Sequence, residues 1–134
     1  MELVVDANIL FSALIKDSLT ARLLFDDNLT LYTPDYILEE FAEHEQEILE
    51  KTHRSNKEFT EVMQMLKEII TVFPKAYYMG FMKEAEKICP DKDDIMYFAL
   101  AMKLKCSIWS NDKKLKEQDK LRVYSTQEII HMTV

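Results

Sequence analysis

Four groups of acids stand where apolar stretches begin or end. Asp6 follows Leu3-Val4-Val5, and Glu39 and Glu40 lie early in a long amphipathic stretch. Asp91, Asp93 and Asp94 precede the apolar run from Ile95 to Met102, and Asp112 follows Cys106-Ser107-Ile108-Trp109-Ser110. Short strands buried on both faces read as continuous apolar runs, and in open α/β sheets ligands sit at the carboxyl ends of the strands. If the strands before Asp6 and Asp112 are parallel neighbours, both acids open into one crevice. Carboxylates gathered within a few ångströms raise one another's pKa unless a cation lies between them. A hard divalent ion resolves that repulsion, and magnesium suits the site because it takes oxygen ligands and relies on one or two carboxylates plus substrate phosphate. The chemistry then available is metal-assisted phosphodiester hydrolysis, which needs no serine, cysteine or histidine nucleophile.

Those acids need a scaffold. After the first strand, Ile9, Leu10, Ala13 and Leu14 recur at helical spacing, with Asn8 placed to cap the helix and Asp17 and Ser18 to punctuate it. Ala21, Leu24 and Phe25 predict a second short helix. Leu29 to Tyr32 predicts a strand closed by Thr33-Pro34, and Asp35 opens a long helix through Ile37, Leu38, Phe41, Ile48 and Leu49. Glu45 falls near the middle of that helix's apolar face, which requires either a buried partner or a helix that leaves the core there. A helix from about Lys57 to Ile70, a brief strand Thr71-Val72-Phe73 and a weaker helix from Tyr77 to Ile88, containing Gly80, come next. Asp91 is placed to cap the following helix with Asp94 in the capping-box position, and the apolar circumference of that helix predicts a central, closely packed place. Cys106 to Ser110 and Leu121 to Tyr124 predict two more strands, and Ser125 or Thr126 caps a terminal helix through Ile129 and Ile130. Strands alternating with helices imply parallel pairing with crossovers, in one domain over residues 1–134 without internal repeats.

Composition removes several alternatives. A chain of 134 residues, 48% hydrophobic, can bury a core of its own. Its 17 basic and 24 acidic side chains leave a formal charge of −7, which argues against nucleic-acid binding through the global field and leaves only a local basic patch. A single glycine and three prolines exclude P-loop and dinucleotide-binding readings. Cys89 and Cys106 lack zinc-finger spacing, an aspartate interrupts any amino-terminal signal sequence, and no apolar run approaches the ~20 residues that span a bilayer. The expectation is a cytoplasmic protein with free thiols and no membrane contact.

The segments Leu3-Val4-Val5-Asp6-Ala7-Asn8-Ile9-Leu10, Leu38-Glu39-Glu40-Phe41, Pro90-Asp91-Lys92-Asp93-Asp94 through Ala101, and Ile108-Trp109-Ser110-Asn111-Asp112 together resemble the PIN domain, in order and spacing, across essentially the whole chain. The resemblance implies a three-layer α/β/α sandwich with a central parallel sheet of about four to five strands, and a Mg²⁺- or Mn²⁺-dependent ribonuclease. Prokaryotic PIN proteins of this size are commonly toxins of the VapC kind, paired with an antitoxin and often homodimeric, so an RNA substrate and an antitoxin partner are implied. By the same resemblance Asp6, Asp94 and Asp112 bind metal, Glu40 is the acid from the long helix, and Asn8 supports the site through hydrogen bonds. The family often carries another acid two residues after the last aspartate, where this chain has Lys114.

Periodicity places Glu39 and Glu40 about equally far from the apolar centre of their helix and does not choose between them. The resemblance favours Glu40, which precedes Phe41, and its spacing to Ala101 selects Asp94. Asp91 reads as a helix cap that supports the site, and Asp93 as a solvated first-turn acid. His44, His53 and His131 show no metal-ligand spacing, and the eight methionines are expected in the core. Lys103, Lys105, Lys113, Lys114 and Lys116 flank the Asp112 element; Lys113, Lys114 and Lys116 are the candidates for phosphate contact, against the reading of a solvated face. Besides an endoribonuclease, either a toxin or an orphan RNA-processing enzyme, two readings stay open: a PIN-like protein-binding module with little intrinsic cleavage, and an acidic phosphotransfer domain, which explains Glu40 and the Asp91 to Asp94 cluster less well.

Overall fold

The computed structural model describes residues 1–15 and 18–133, so Asp17 lies outside the described residues. Five strands, β1 (Glu2–Val5), β2 (Thr30–Pro34), β3 (Ile70–Phe73), β4 (Ser107–Trp109) and β5 (Val123–Tyr124), form one sheet in the order β3-β2-β1-β4-β5. Every pairing is parallel, with Val4 opposite both Tyr32 and Ile108, and Val5 opposite Trp109. Leu3, Val4 and Val5 are fully buried because β1 is the central strand with a helical layer on each face.

Helices α1 (Ala7–Ile15) and α2 (Ser18–Leu24) connect β1 to β2, and α3 (Tyr36–Thr52) and α4 (Asn56–Ile69) connect β2 to β3. The return from β3 to β4 runs through α5 (Lys75–Tyr78), α6 (Met82–Ile88) and α7 (Ile95–Leu104). Parallel crossovers are right-handed, so steps taken in opposite directions along the sheet put their helices on opposite faces. The result is the three-layer α/β/α arrangement expected from the alternation. Helix α7 packs over β1, β2 and β4, and Tyr97 to Ala101 are all fully buried, as its apolar circumference predicts.

Local chemistry explains where elements begin and stop. Helix α1 is capped by Asp6, which accepts from the Ile9 amide at 3.0 Å, while Asn8 is exposed in the first turn. Asp6 takes the cap because the helix starts directly after β1, two residues earlier than capping by Asn8 allows. Ser55 and Glu58 form a reciprocal capping box at α4. Helix α3 buries Ile37, Phe41 and Ile48 but exposes residues 42–47, Glu45 among them, so this part of the helix stands clear of the core. The weak helix expected from Tyr77 to Ile88 is interrupted by a 3-10 turn over Met79–Phe81 that contains Gly80. The last strand is shorter than predicted because both backbone groups of Leu121 are taken by the Gln118 side chain, at 2.9 and 2.7 Å. Ser125 and Glu128 exchange hydrogen bonds at the start of α8 (Thr126–Thr133).

Candidate functional site

The chain leaves β1 toward β2 and β3, then returns to lay β4 on the other side of β1. Segments that follow β1 and β4 therefore diverge, and a crevice opens between them at the strands' carboxyl ends. Asp6 is the first residue beyond β1 and Ser110 the first beyond β4.

Asp6 is only 3% exposed. Its carboxylate accepts from the Ile9 amide and from the Ser110 hydroxyl. Burial is the main cause that raises its pKa to about 6; the two donors pull it down, and Glu40 and Asp112 push it up. The Ser110 hydroxyl also accepts from the Asp112 amide at 3.1 Å, so one fully buried side chain joins the two strand-end acids. Asp112 caps the 3-10 turn Lys113–Glu117 by accepting from the Lys114 amide at 3.0 Å. Asn111, between them, is tied to Thr126 on α8 by two hydrogen bonds, at 3.1 and 2.8 Å.

The second wall is the approach to α7. Asp91 was expected to cap this helix; instead it caps a 3-10 turn, Lys92–Asp94, by accepting from the Asp93 amide at 3.0 Å. The α-helix starts only at Ile95, with Asp94 as its cap residue making no side-chain cap bond. Because the tighter turn satisfies Asp93 from Asp91, the Asp94 carboxylate is left for the crevice and no capping box forms. Its pKa rises to about 7, first through burial and then through Asp6, Asp91, Asp112 and Glu40. Asp91, Asp94 and Asp112 each offer an oxygen within 4.8 Å of the others, the one such group found among the described residues. Asp91 thus stands in the acid cluster itself, and Asp93 is exposed outside it.

From α3, Glu40 is half-buried and accepts from the Tyr97 hydroxyl at 2.8 Å, whereas Glu39 is exposed. Burial raises the Glu40 pKa, and Tyr97 and His44 oppose the rise. Asn8, Glu40, Phe11 and His44 line a groove of about 310 Å³ between α1 and α3. Lys113 and Lys114 are exposed beside Asp112, while Lys116 forms an ion pair with Glu128, and Lys103 lies over the Tyr77 ring.

A set of hard oxygen donors this close fits Mg²⁺ or Mn²⁺. Cys89, hydrogen-bonded to the Asp91 carbonyl, is the nearby soft donor, but burial pushes its thiol up to about 11, so it offers no thiolate. Two residues of the site, Ser110 and Tyr97, carry no signal in the sequence: one reads as a strand-end serine and the other as a core aromatic.

Fold and site together define an α/β protein with an acidic crevice at the switch point of a parallel sheet. A profile for the PIN domain matches residues 4–129, and the chain belongs to the PIN domain family, a family of nucleases. It is similar to a chain in the crystal structure of VapBC2 from Rickettsia felis bound to a DNA fragment from their promoter, with a TM-score of 0.66 and 16% identity over 93% of this chain and 98% of that one. At that identity the likeness shows the fold. No curated protein sequence matches the chain. Among the described residues no helix is long and apolar enough to cross a membrane.

Proposed function

We propose that this PIN domain is a Mg²⁺- or Mn²⁺-dependent endoribonuclease that acts as one domain over residues 1–134. The observation that carries the reading is the convergence of Asp6, Asp91, Asp94 and Asp112, with Glu40 beside them, in one crevice where Asp6 and Asp94 are pushed toward neutrality. So many carboxylates destabilise one another unless a cation is held among them.

In this reading Asp94, Asp112 and Asp91 hold the metal, and Asp6 contributes its charge from the crevice floor. When bound, the ion neutralises charge that develops on the scissile phosphate and lowers the pKa of water. Glu40, a carboxylate of raised pKa held by Tyr97, is placed to accept the proton of the attacking water. Asn8, exposed near Glu40, supports that flank. Lys113 and Lys114 contact phosphates next to Asp112, with Lys116 behind them. The overall charge of −7 confines RNA contact to this edge. The reading includes an antitoxin-type protein partner and a toxin role, for which the likeness to VapBC2 is the support, and, as part of the same proposal, a homodimer in the cytoplasm.

The test is cleavage of single-stranded and structured RNAs by the purified chain with Mn²⁺ or Mg²⁺. Asp94→Asn and Asp6→Asn are each expected to lower the rate by about a hundredfold or more. Cleavage that persists unchanged in both variants overturns the assignment. Lys114, at the position where the family often has another acid, favours one alternative, a protein-binding module. That module would show neither cleavage nor calorimetric Mn²⁺ binding sensitive to Asp94→Asn.

A further inference from the structure

We propose that Tyr97 is a positioning residue whose buried hydroxyl fixes the Glu40 carboxylate against the acid crevice. The inference rests on the nuclease reading for what Glu40 does, but not for the contact itself. Tyr97 is fully buried in the first turn of α7, one helical turn beyond Asp94, and donates to Glu40 Oε1 at 2.8 Å. Among the fully buried residues Tyr97 to Ala101 its hydroxyl is the only polar side-chain group. The phenol ring supplies the apolar burial, and its oxygen adds a polar group that the apolar packing around it does not require. A buried hydroxyl without an acceptor costs free energy, and Glu40 is the acceptor.

Glu40 needs such a tether because of where it sits. Helix α3 leaves the core just after Phe41, and residues 42–47 are exposed. A glutamate at that margin has three rotatable side-chain bonds and solvent on one side, so it samples several rotamers unless one is selected. The bond from Tyr97 engages Oε1 and so selects one placement of the carboxylate. It also ties Glu40 to the same short segment that carries Asp94, so the two acids keep their separation even if α3 shifts along the sheet. Misplacement of a reacting group by about 1 Å can cost about a hundredfold in rate.

Tyr97→Phe keeps the ring and removes only the donor. It is expected to lower kcat for RNA cleavage ~10- to 100-fold with KM changed less than about twofold. Mn²⁺ affinity, read by calorimetry, is expected to stay within about twofold, since Tyr97 acts on Glu40 and not on Asp91, Asp94 or Asp112. In a Glu40→Ala background, adding Tyr97→Phe is expected to reduce kcat no further. Losses that multiply, or Mn²⁺ binding that falls tenfold or more, overturn the proposal in favour of a structural role for Tyr97 in α7. If the unaltered protein cleaves no RNA, the nuclease reading fails separately, and thermal melting decides the contact. Tyr97→Phe should then lower Tm in the unaltered protein but not in Glu40→Ala, where the hydroxyl has already lost its acceptor; equal losses in both backgrounds overturn the tether.

Discussion

The backbone amide of Asp6 donates to the carbonyl of Trp109 at 3.3 Å, one step beyond the last paired residues of β1 and β4. This bond zips the two strands to their very ends. It sets the start of α1 beside the start of the Asp112 loop, so Asp6 and Ser110 face each other with no intervening residue on either strand. The acid crevice is thus a direct product of strand register, and a slip of one residue would turn Asp6 to the opposite face of the sheet.

The raised acids make the metal-free protein sensitive to pH. An acid whose pKa is higher in the folded than in the unfolded state holds its proton more tightly when folded. Below the ordinary value of 3.8 both states are protonated and nothing is lost; the penalty grows as pH rises through about 6 for Asp6 and about 7 for Asp94. Melting in the presence of a chelator should therefore show Tm falling between pH 4 and pH 8. Asp94→Asn should flatten that slope and raise Tm by a few degrees at pH 8, while abolishing the gain that Mn²⁺ gives the unaltered protein. A chelated protein whose Tm climbs steadily over the same range would contradict the electrostatic account.

Asp91 and Asp93 stand two residues apart and should behave oppositely. Asp91 shares the cluster with Asp94 and Asp112, and Asp93 is exposed outside it. Replacing Asp91 by Asn should weaken Mn²⁺ binding by about tenfold or more, and replacing Asp93 by Asn should change it less than about twofold. Calorimetric titration of the two variants measures the difference. Equal losses would mean that the 3-10 turn as a whole, and not the Asp91 carboxylate, matters.

Ser110 carries the bridge between the strand-end acids. Ser110→Ala removes a donor from the buried Asp6 carboxylate and an acceptor from the Asp112 amide, at a fully buried position. The expected cost is ~1–3 kcal/mol in urea unfolding, together with weaker Mn²⁺ binding as the Asp112 loop loosens. Stability within a few tenths of a kcal/mol of the unaltered protein would show that the bridge contributes little.

Much of this architecture is legible from residue types alone. Leu3-Val4-Val5 and Ile108-Trp109 read as strands buried on both faces, and such strands belong to parallel sheets; that β1 and β4 are neighbours is a condition in the sequence and a finding in the structure, because strand order has no periodic signature. Other features depend on local geometry that has no periodic signature. A helix wheel treats Glu39 and Glu40 alike; in the structure the burial of Glu40 and the reach of Tyr97 across from α7 separate them. Asp91 looks like a helix cap because capping motifs are the same for a 3-10 turn and an α-helix at the level of spacing. Ser110 becomes visible only once Asp6 and Asp112 are placed on either side of it.

The strand order also sets when the crevice can exist. As the chain emerges during synthesis, β1, β2 and β3 can pair with their helices early, since they are consecutive in sequence and adjacent in the sheet. The other flank of β1 stays open until β4 arrives, and Asp112 follows later still. Asp6 precedes Asp94 and Asp112 by most of the domain, so a chain that has not yet reached β4 has one wall of the crevice and not the other. The acid cluster therefore forms only once β4 and the segment that carries Asp112 dock against β1.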